Sequence, residues 1–166
     1  MKQENSYFQS YNSIKGVYGD FIVTSADKKE VLFYRLSILD PITRSDQPFH
    51  DPDGQFTILF NGEIYNFIDL KQKLKNSGHV FQTTSDTEVV LKGYVEWGER
   101  CIEHFSGMFS IVVYDHKDGS LTLLRDHLGI KPLYYILNDK EFIFASEIKA
   151  FFNYMPFSLN EDVLLE

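Results

Sequence analysis

Gln55-Phe56-Thr57-Ile58-Leu59-Phe60-Asn61-Gly62-Glu63 joins a strand-like run directly to an Asn-Gly-Glu triplet, and the architecture turns on that junction. Its first six residues form an apolar, aromatic run of strand length, the pattern of a strand buried on both faces. The run passes straight into Asn61-Gly62. Asn-Gly is the commonest signal of a tight hairpin turn. Against that, Glu63-Ile64-Tyr65 does not return as a clean strand, and Glu63 followed by Asn66 fits a crossing from strand to helix. A side-chain amide beside a glycine N–H at the end of a buried strand also supplies the parts of an oxyanion hole. On the residues alone, a turn and a binding site both stand.

Downstream, Ile68, Leu70 and Leu74 keep a helical pattern that stops at Gly78. Ser85 with Glu88 three residues later forms a capping box, which predicts a helix from Asp86 to about Trp97. Its inward stripe is Val89, Val90, Gly93, Tyr94 and Trp97. Residues 101–105 predict a further short helix closed by Gly107. Strands are expected over 108–115, 120–125 and 133–137, then over 141–145 after an Asn138-Asp139 turn. Upstream, 21–24 and 31–34 read as short strands around Ala26-Asp27-Lys28-Lys29, and Arg35 to Asp40 continues extended. Residues 41–54 read as loop, marked by Pro41, Pro48, Pro52 and Asp53-Gly54. Residues 1–18 show no firm period. Helices and strands come in blocks, which argues an α+β fold with mainly antiparallel sheets.

Composition narrows the function classes. The 166 residues suit one domain with a substantial core, and 43% are hydrophobic, with 15 Phe and 10 Tyr favouring sheet. A net charge of −8 without a Lys/Arg cluster excludes nucleic-acid and anionic-membrane partners. The lone Cys101 rules out an internal disulfide framework and suits a reducing cytoplasm. No apolar run approaches a membrane span, and Met1-Lys2-Gln3-Glu4-Asn5 is not a signal peptide. His50, His79, His104, His116 and His127 show no metal-ligand spacing, so neither a metal nor a cofactor is expected.

Several residues carry a functional and a structural reading side by side. Arg35 closes the run Val31-Leu32-Phe33-Tyr34, where its planar fork is a good carboxylate clamp, or it pairs with Asp40 at the surface. Asp86 opens a capped helix, where a carboxylate is stabilised by the free N–H groups, or it meets a ligand ammonium. Arg35 and Asp86 would then grip the two ends of an α-amino acid, with Asn61 and Gly62 on its side-chain carbonyl. His127 beside Asp126 is read as part of a structural corner in which Arg125 and Asp126 pair with each other, with Gly129 and Pro132 shaping the turn. Cys101 is read as a buried thiol.

Seven strings in order resemble the glutaminase domain of asparagine synthetases, class-II glutamine amidotransferases of the N-terminal-nucleophile hydrolase type. They are Arg35-Leu36-Ser37-Ile38-Leu39-Asp40, Gln47-Pro48, Asn61-Gly62-Glu63-Ile64-Tyr65-Asn66, Ser85-Asp86-Thr87-Glu88, Gly107-Met108-Phe109, the run from Arg125 to Tyr135, and Phe144-Ala145-Ser146-Glu147-Ile148-Lys149-Ala150. The resemblance implies a four-layer αββα sandwich of two mainly antiparallel sheets. It implies a glutamine pocket of Arg35, Leu36, Ser37, Ile38, Leu39, Asn61, Gly62, Glu63 and Asp86, with Asn61 and the Gly62 N–H as oxyanion donors. It also implies ammonia transfer to an ATP-dependent synthetase domain. On this pattern residues 1–18 are a divergent segment and 19–166 the amidotransferase-like domain, shortened at both ends.

The chain departs from the family pattern at the nucleophile. The family begins Met-Cys-Gly-Ile, and one terminal residue supplies both thiolate and basic amine. In one register Lys2 takes that place, and in a second register, with 13–18 on the first strand, Asn12 does. The family's His-Arg-Gly-Pro-Asp segment is also absent. The expectation is therefore a glutaminase-like domain that does not hydrolyse glutamine and serves as a sensor or assembly module for a separate synthetase. Two alternatives stand beside it: an active glutaminase whose true N-terminus lies elsewhere, and a structural remnant of a synthetase gene.

Overall fold

The computed structural model describes residues 8–9, 31–32, 47–137 and 142–153. Strands β1 (Phe8–Gln9) and β2 (Val31–Leu32) pair in parallel. Strands β3 (Phe49–His50), β4 (Phe56–Ile64), β5 (Gly107–Asp115) and β6 (Leu121–Arg125) form an antiparallel sheet in that order. Strands β7 (Tyr134–Leu137) and β8 (Phe142–Ala145) form a second antiparallel pair. Between β4 and β5 the chain builds helices α1 (Phe67–Asn76) and α2 (Asp86–Trp97) and a 3₁₀ helix, Gly98–Glu103.

Strand periodicity assigns the layers. Ile58, Phe60 and Ile64 alternate onto one face of β4 and, with Ile111 and Val113, pack on Leu70 and Leu74 of α1 and Val89 and Val90 of α2. Leu59 and Val112 point to the opposite face and pack on Phe144 of β8. The far side of β8, Ile143 and Ala145, packs on Phe151 of a second 3₁₀ helix, Ile148–Asn153. The order is helices, sheet, sheet, helix: an α+β, four-layer αββα sandwich. Each fully buried aliphatic side chain contributes roughly 1.5–3 kcal/mol. One ion pair crosses this core, Lys92 Nζ on α2 to Asp51 Oδ1 after β3 at 3.1 Å, with both groups buried.

Local reading and structure differ at five places, each for a physical reason. Asn61-Gly62 is not a turn, because β4 continues to Ile64 in register with Gly107. The run 41–54 is not all loop: Phe49 and His50 pair with Ile58 and Thr57. Ser85 caps α2 by accepting from the Thr87 N–H at 3.0 Å, but the capping box does not close. Glu88 instead accepts from the N–H groups of Gln82 and Thr83 and from the Thr83 hydroxyl. Ile68 is exposed, since the inward face of α1 is made by Phe67, Leu70 and Leu74. Gly107 does not end a helix but begins β5, where a Cβ would lie 2.0 Å from the Glu63 carbonyl oxygen. The strand expected over 21–24 and the Asn138-Asp139 turn lie outside the described residues, as do 33–34 of the expected 31–34 strand.

Arg125 and Asp126 build the corner after β6 without pairing to each other. Arg125 donates to the carbonyls of Lys131 (2.7 Å) and Gly129 (2.6 Å). The Asp126 carboxylate accepts from the N–H groups of Phe109 (3.1 Å), Leu128 (3.1 Å), Ile130 (2.9 Å) and Lys131 (2.9 Å). Burial alone would push this carboxyl up, but the backbone donors outweigh it and hold its pKa at about 2, below the ordinary 3.8. A depressed carboxylate stabilises the fold fully above its unfolded pKa and loses that contribution as pH falls through the folded value. Asp126→Asn should lower the unfolding free energy by roughly 2–3 kcal/mol at pH 7. In urea unfolding, the gap between the two proteins should stay constant above about pH 4.5 and close toward pH 2; a gap unchanged at pH 2 would contradict this account of the corner.

Candidate functional site

The outer edge of β4, the side away from β5, brings together most of the described candidates. Backbone groups of alternate residues in a strand point to the same side. Phe109 exchanges bonds with Asp126 on the β6 side, so its partner Gly62 turns its own N–H away from β5. Tyr65 donates to Ser106 on the β5 side, which puts the Ile64 N–H on the outer edge as well. Along that edge Phe60 bonds to the side-chain amide of Gln47, and Ile64 donates to Asp86 Oδ2 at 3.2 Å. Between them lies the Gly62 N–H, for which no described residue is the acceptor.

Gly62 cannot be another residue. Its φ is +147°, and a Cβ would sit 2.1 Å from the Met108 carbonyl oxygen and 2.7 Å from Phe109 Cα. The missing side chain lets β4 pass against β5 and sets the peptide on the edge away from β5. Asn61 and Glu63 alternate to the same face as Leu59, the face between the two sheets. The Asn61 side chain makes no hydrogen bond among the described residues. Asn66, just beyond, fastens the exit of β4: it accepts from the Ser106 N–H at 3.0 Å and donates to the His104 carbonyl at 2.9 Å.

Asp86 reaches this edge because α2 starts there. The Glu88 carboxylate, bound to Gln82 and Thr83, holds the approach, and Ser85 caps the first turn. Asp86 is 5% exposed, and no cation pairs with it among the described residues. Burial pushes its pKa up, neighbouring Glu63 adds to the rise, and N–H donors from Ile64, Thr87 and Asp86 itself oppose it. Cys101 lies elsewhere, fully buried in the first 3₁₀ helix, and burial pushes its thiol up to about 12. It is a neutral packing group at physiological pH. Arg35, Leu36, Ser37, Ile38 and Leu39 lie outside the described residues. Among the described residues no group of three or more metal-ligating side chains occurs. No helix there is long and apolar enough to cross a membrane.

The profile of the glutamine amidotransferase domain matches residues 15–165. The chain belongs to the glutamine amidotransferase domain family. Among its relatives, the glutamine-hydrolyzing asparagine synthetase 2 of Bacillus subtilis (strain 168) is 47% identical over 122 residues, 74% of this chain and 16% of that one. Synthetase 3 of the same organism is 48% identical over 95 residues, 57% of this chain and 16% of its own length. The enzyme of Zea mays is 46% identical over 117 residues, 70% of this chain and 20% of that one. The domain therefore spans about a sixth of the length of its Bacillus relatives. Among solved structures, the glutamine phosphoribosylpyrophosphate amidotransferase of B. subtilis superposes with a TM-score of 0.53 at 26% identity, over 63% of this chain and 25% of that chain. The family assignment and the N-terminal-nucleophile amidotransferase architecture agree with the layers described above.

The close passage of β4 and β5 has a direct consequence. Gly62→Ala should destabilise the domain by about 3 kcal/mol, because neither Met108 nor Phe109 backbone can yield without breaking the ladder. Chemical denaturation measures this, and an effect below about 1 kcal/mol would show that the two strands do not approach so closely.

Proposed function

We propose that the domain binds L-glutamine across the outer edge of β4, as the glutamine site of an asparagine-synthetase-type system. The buried Asp86 carboxylate carries this reading. It has no cationic partner among the described residues, and its raised pKa marks a charge that an ammonium group would relieve. In this reading Asp86 takes the ligand's ammonium and Arg35 its carboxylate, with Leu36, Ser37, Ile38, Leu39 and Glu63 lining the pocket. The Asn61 amide and the Gly62 N–H take the side-chain carbonyl. Gly62 and Ile64 stand about 7 Å apart along the strand, comparable to the reach of glutamine from ammonium to side-chain amide.

Cleavage of that amide requires a nucleophile, and Cys101 is the single cysteine of the sequence. Its buried, neutral thiol has no access to the β4 edge. With these 166 residues the domain binds glutamine without thiol-dependent hydrolysis, as a pseudoenzyme that senses glutamine or assembles with a separate synthetase in the cytoplasm. The Gly62 N–H and Asn61 amide, which bond to no described residue, favour one further reading. They are the parts of an oxyanion hole, so a nucleophile supplied by a segment outside these residues would make the same site a glutaminase that feeds ammonia to the synthetase.

Thermal unfolding with and without millimolar L-glutamine tests the site. At a hundred times Kd, a ligand specific for the native state adds about 2.7 kcal/mol. Asp86→Asn should abolish that gain. Without glutamine the stability of the variant relative to the wild type should rise as pH rises. A carboxyl with a raised folded pKa costs stability as pH rises through that value, and Asn carries no such charge. A wild-type melt that ignores glutamine would sink the proposal.

A further inference from the structure

On the approach to Gly62, the edge of β4 is closed by a side chain that takes the place of a strand. β3 pairs Phe49 with Ile58, and the same register carried one rung further sets position 47 opposite Phe60. At that rung Gln47 uses its side-chain amide: Nε2 donates to the Phe60 carbonyl at 2.8 Å, and Oε1 accepts from the Phe60 N–H. A primary amide offers the same donor and acceptor as a peptide group, so the ladder is completed at Phe60 while the main chain stands off by the length of a side chain. Had the main chain itself continued pairing, the next rung would have consumed the N–H of Gly62.

We infer that Gln47 is a positioning residue: it ends the β3–β4 ladder at Phe60 and thereby leaves the Gly62 N–H as a donor for a ligand carbonyl. Three observations on one edge carry this. Phe60 is satisfied by Gln47, Ile64 is satisfied by Asp86, and the position between them has no described acceptor. The ligand half of the inference rests on the glutamine reading above. The ladder half stands on the hydrogen bonds alone. Gln47 touches no ligand in this scheme, and it acts through the peptide it fixes.

Amide hydrogen exchange followed by NMR on the unliganded domain, with glutamine affinity measured on the same samples, separates the two halves. In the wild type the Phe60 N–H should be protected and the Gly62 N–H should exchange fast. Gln47→Ala should lose roughly tenfold of the Phe60 protection and weaken glutamine binding by a similar factor. Gln47→Glu keeps an acceptor for the Phe60 N–H, so it should retain that protection and recover part of the affinity. It also keeps the test open if the alanine variant fails to fold. A purely structural role would lower the melting temperature and leave the Kd unchanged, and that result overturns the inference. A Gly62 N–H as protected as that of Phe60 in the unliganded wild type overturns it too. If the wild type binds no glutamine, the glutamine reading fails, and the exchange rates of Phe60 and Gly62 still decide whether Gln47 terminates the ladder.

Discussion

Two backbones pass each other at Gly62 and Gly107 without room for a methyl group on either, and the rest of the structure depends on that approach. It keeps β4 extended through a dipeptide whose local preference is to turn. It also carries the chain far enough for Asn66 to be fastened to His104 and Ser106 before α1 begins. The same contact turns the Gly62 peptide outward, onto the edge where α2 delivers Asp86. A substitution that separated the strands would therefore disturb the core and the site together.

Two of the buried aspartates, Asp126 and Asp86, show how similar side chains come to differ in their electrostatics. Asp126 is surrounded by backbone donors and its pKa is held at about 2, so its charge is fully satisfied within the fold. Asp86 is comparably buried, yet its pKa moves the other way, because desolvation and Glu63 outweigh its few N–H contacts. A satisfied carboxylate organises a corner. Asp86, with fewer donors, keeps a net cost of burial that raises its pKa.

Features encoded locally were legible in the sequence. Helix α2 begins at Asp86 and ends at Trp97 as Ser85 and the apolar spacing indicate, because capping and helical periodicity act within a few residues. The apolar run of β4 up to Phe60 marked a buried strand, and the block order of strands and helices pointed to the α+β class. Non-local features were not legible. Asn61-Gly62 stays extended because of β5, and Glu88 turns to Gln82 and Thr83 because the preceding loop folds back over it. β3 hides in a proline-marked stretch because two residues of strand have no periodicity to read. Of the candidates, Asn61, Gly62 and Asp86 follow from residue chemistry and Glu63 from the family resemblance, and all four lie in one region around β4. The part played by Gln47 needed the register of β3 on β4, which no spacing in the sequence reveals.

The central question is whether the outer edge of β4 is where glutamine sits. The direct measurement is an NMR titration of the ¹⁵N-labelled domain with L-glutamine, with D-glutamine as control. The predicted result is saturable shifts concentrated at the Gly62 and Ile64 amides and the Asn61 side-chain amide with the L-enantiomer, and none with the D-enantiomer. Shifts that spare those groups, or that are the same for both enantiomers, would contradict it.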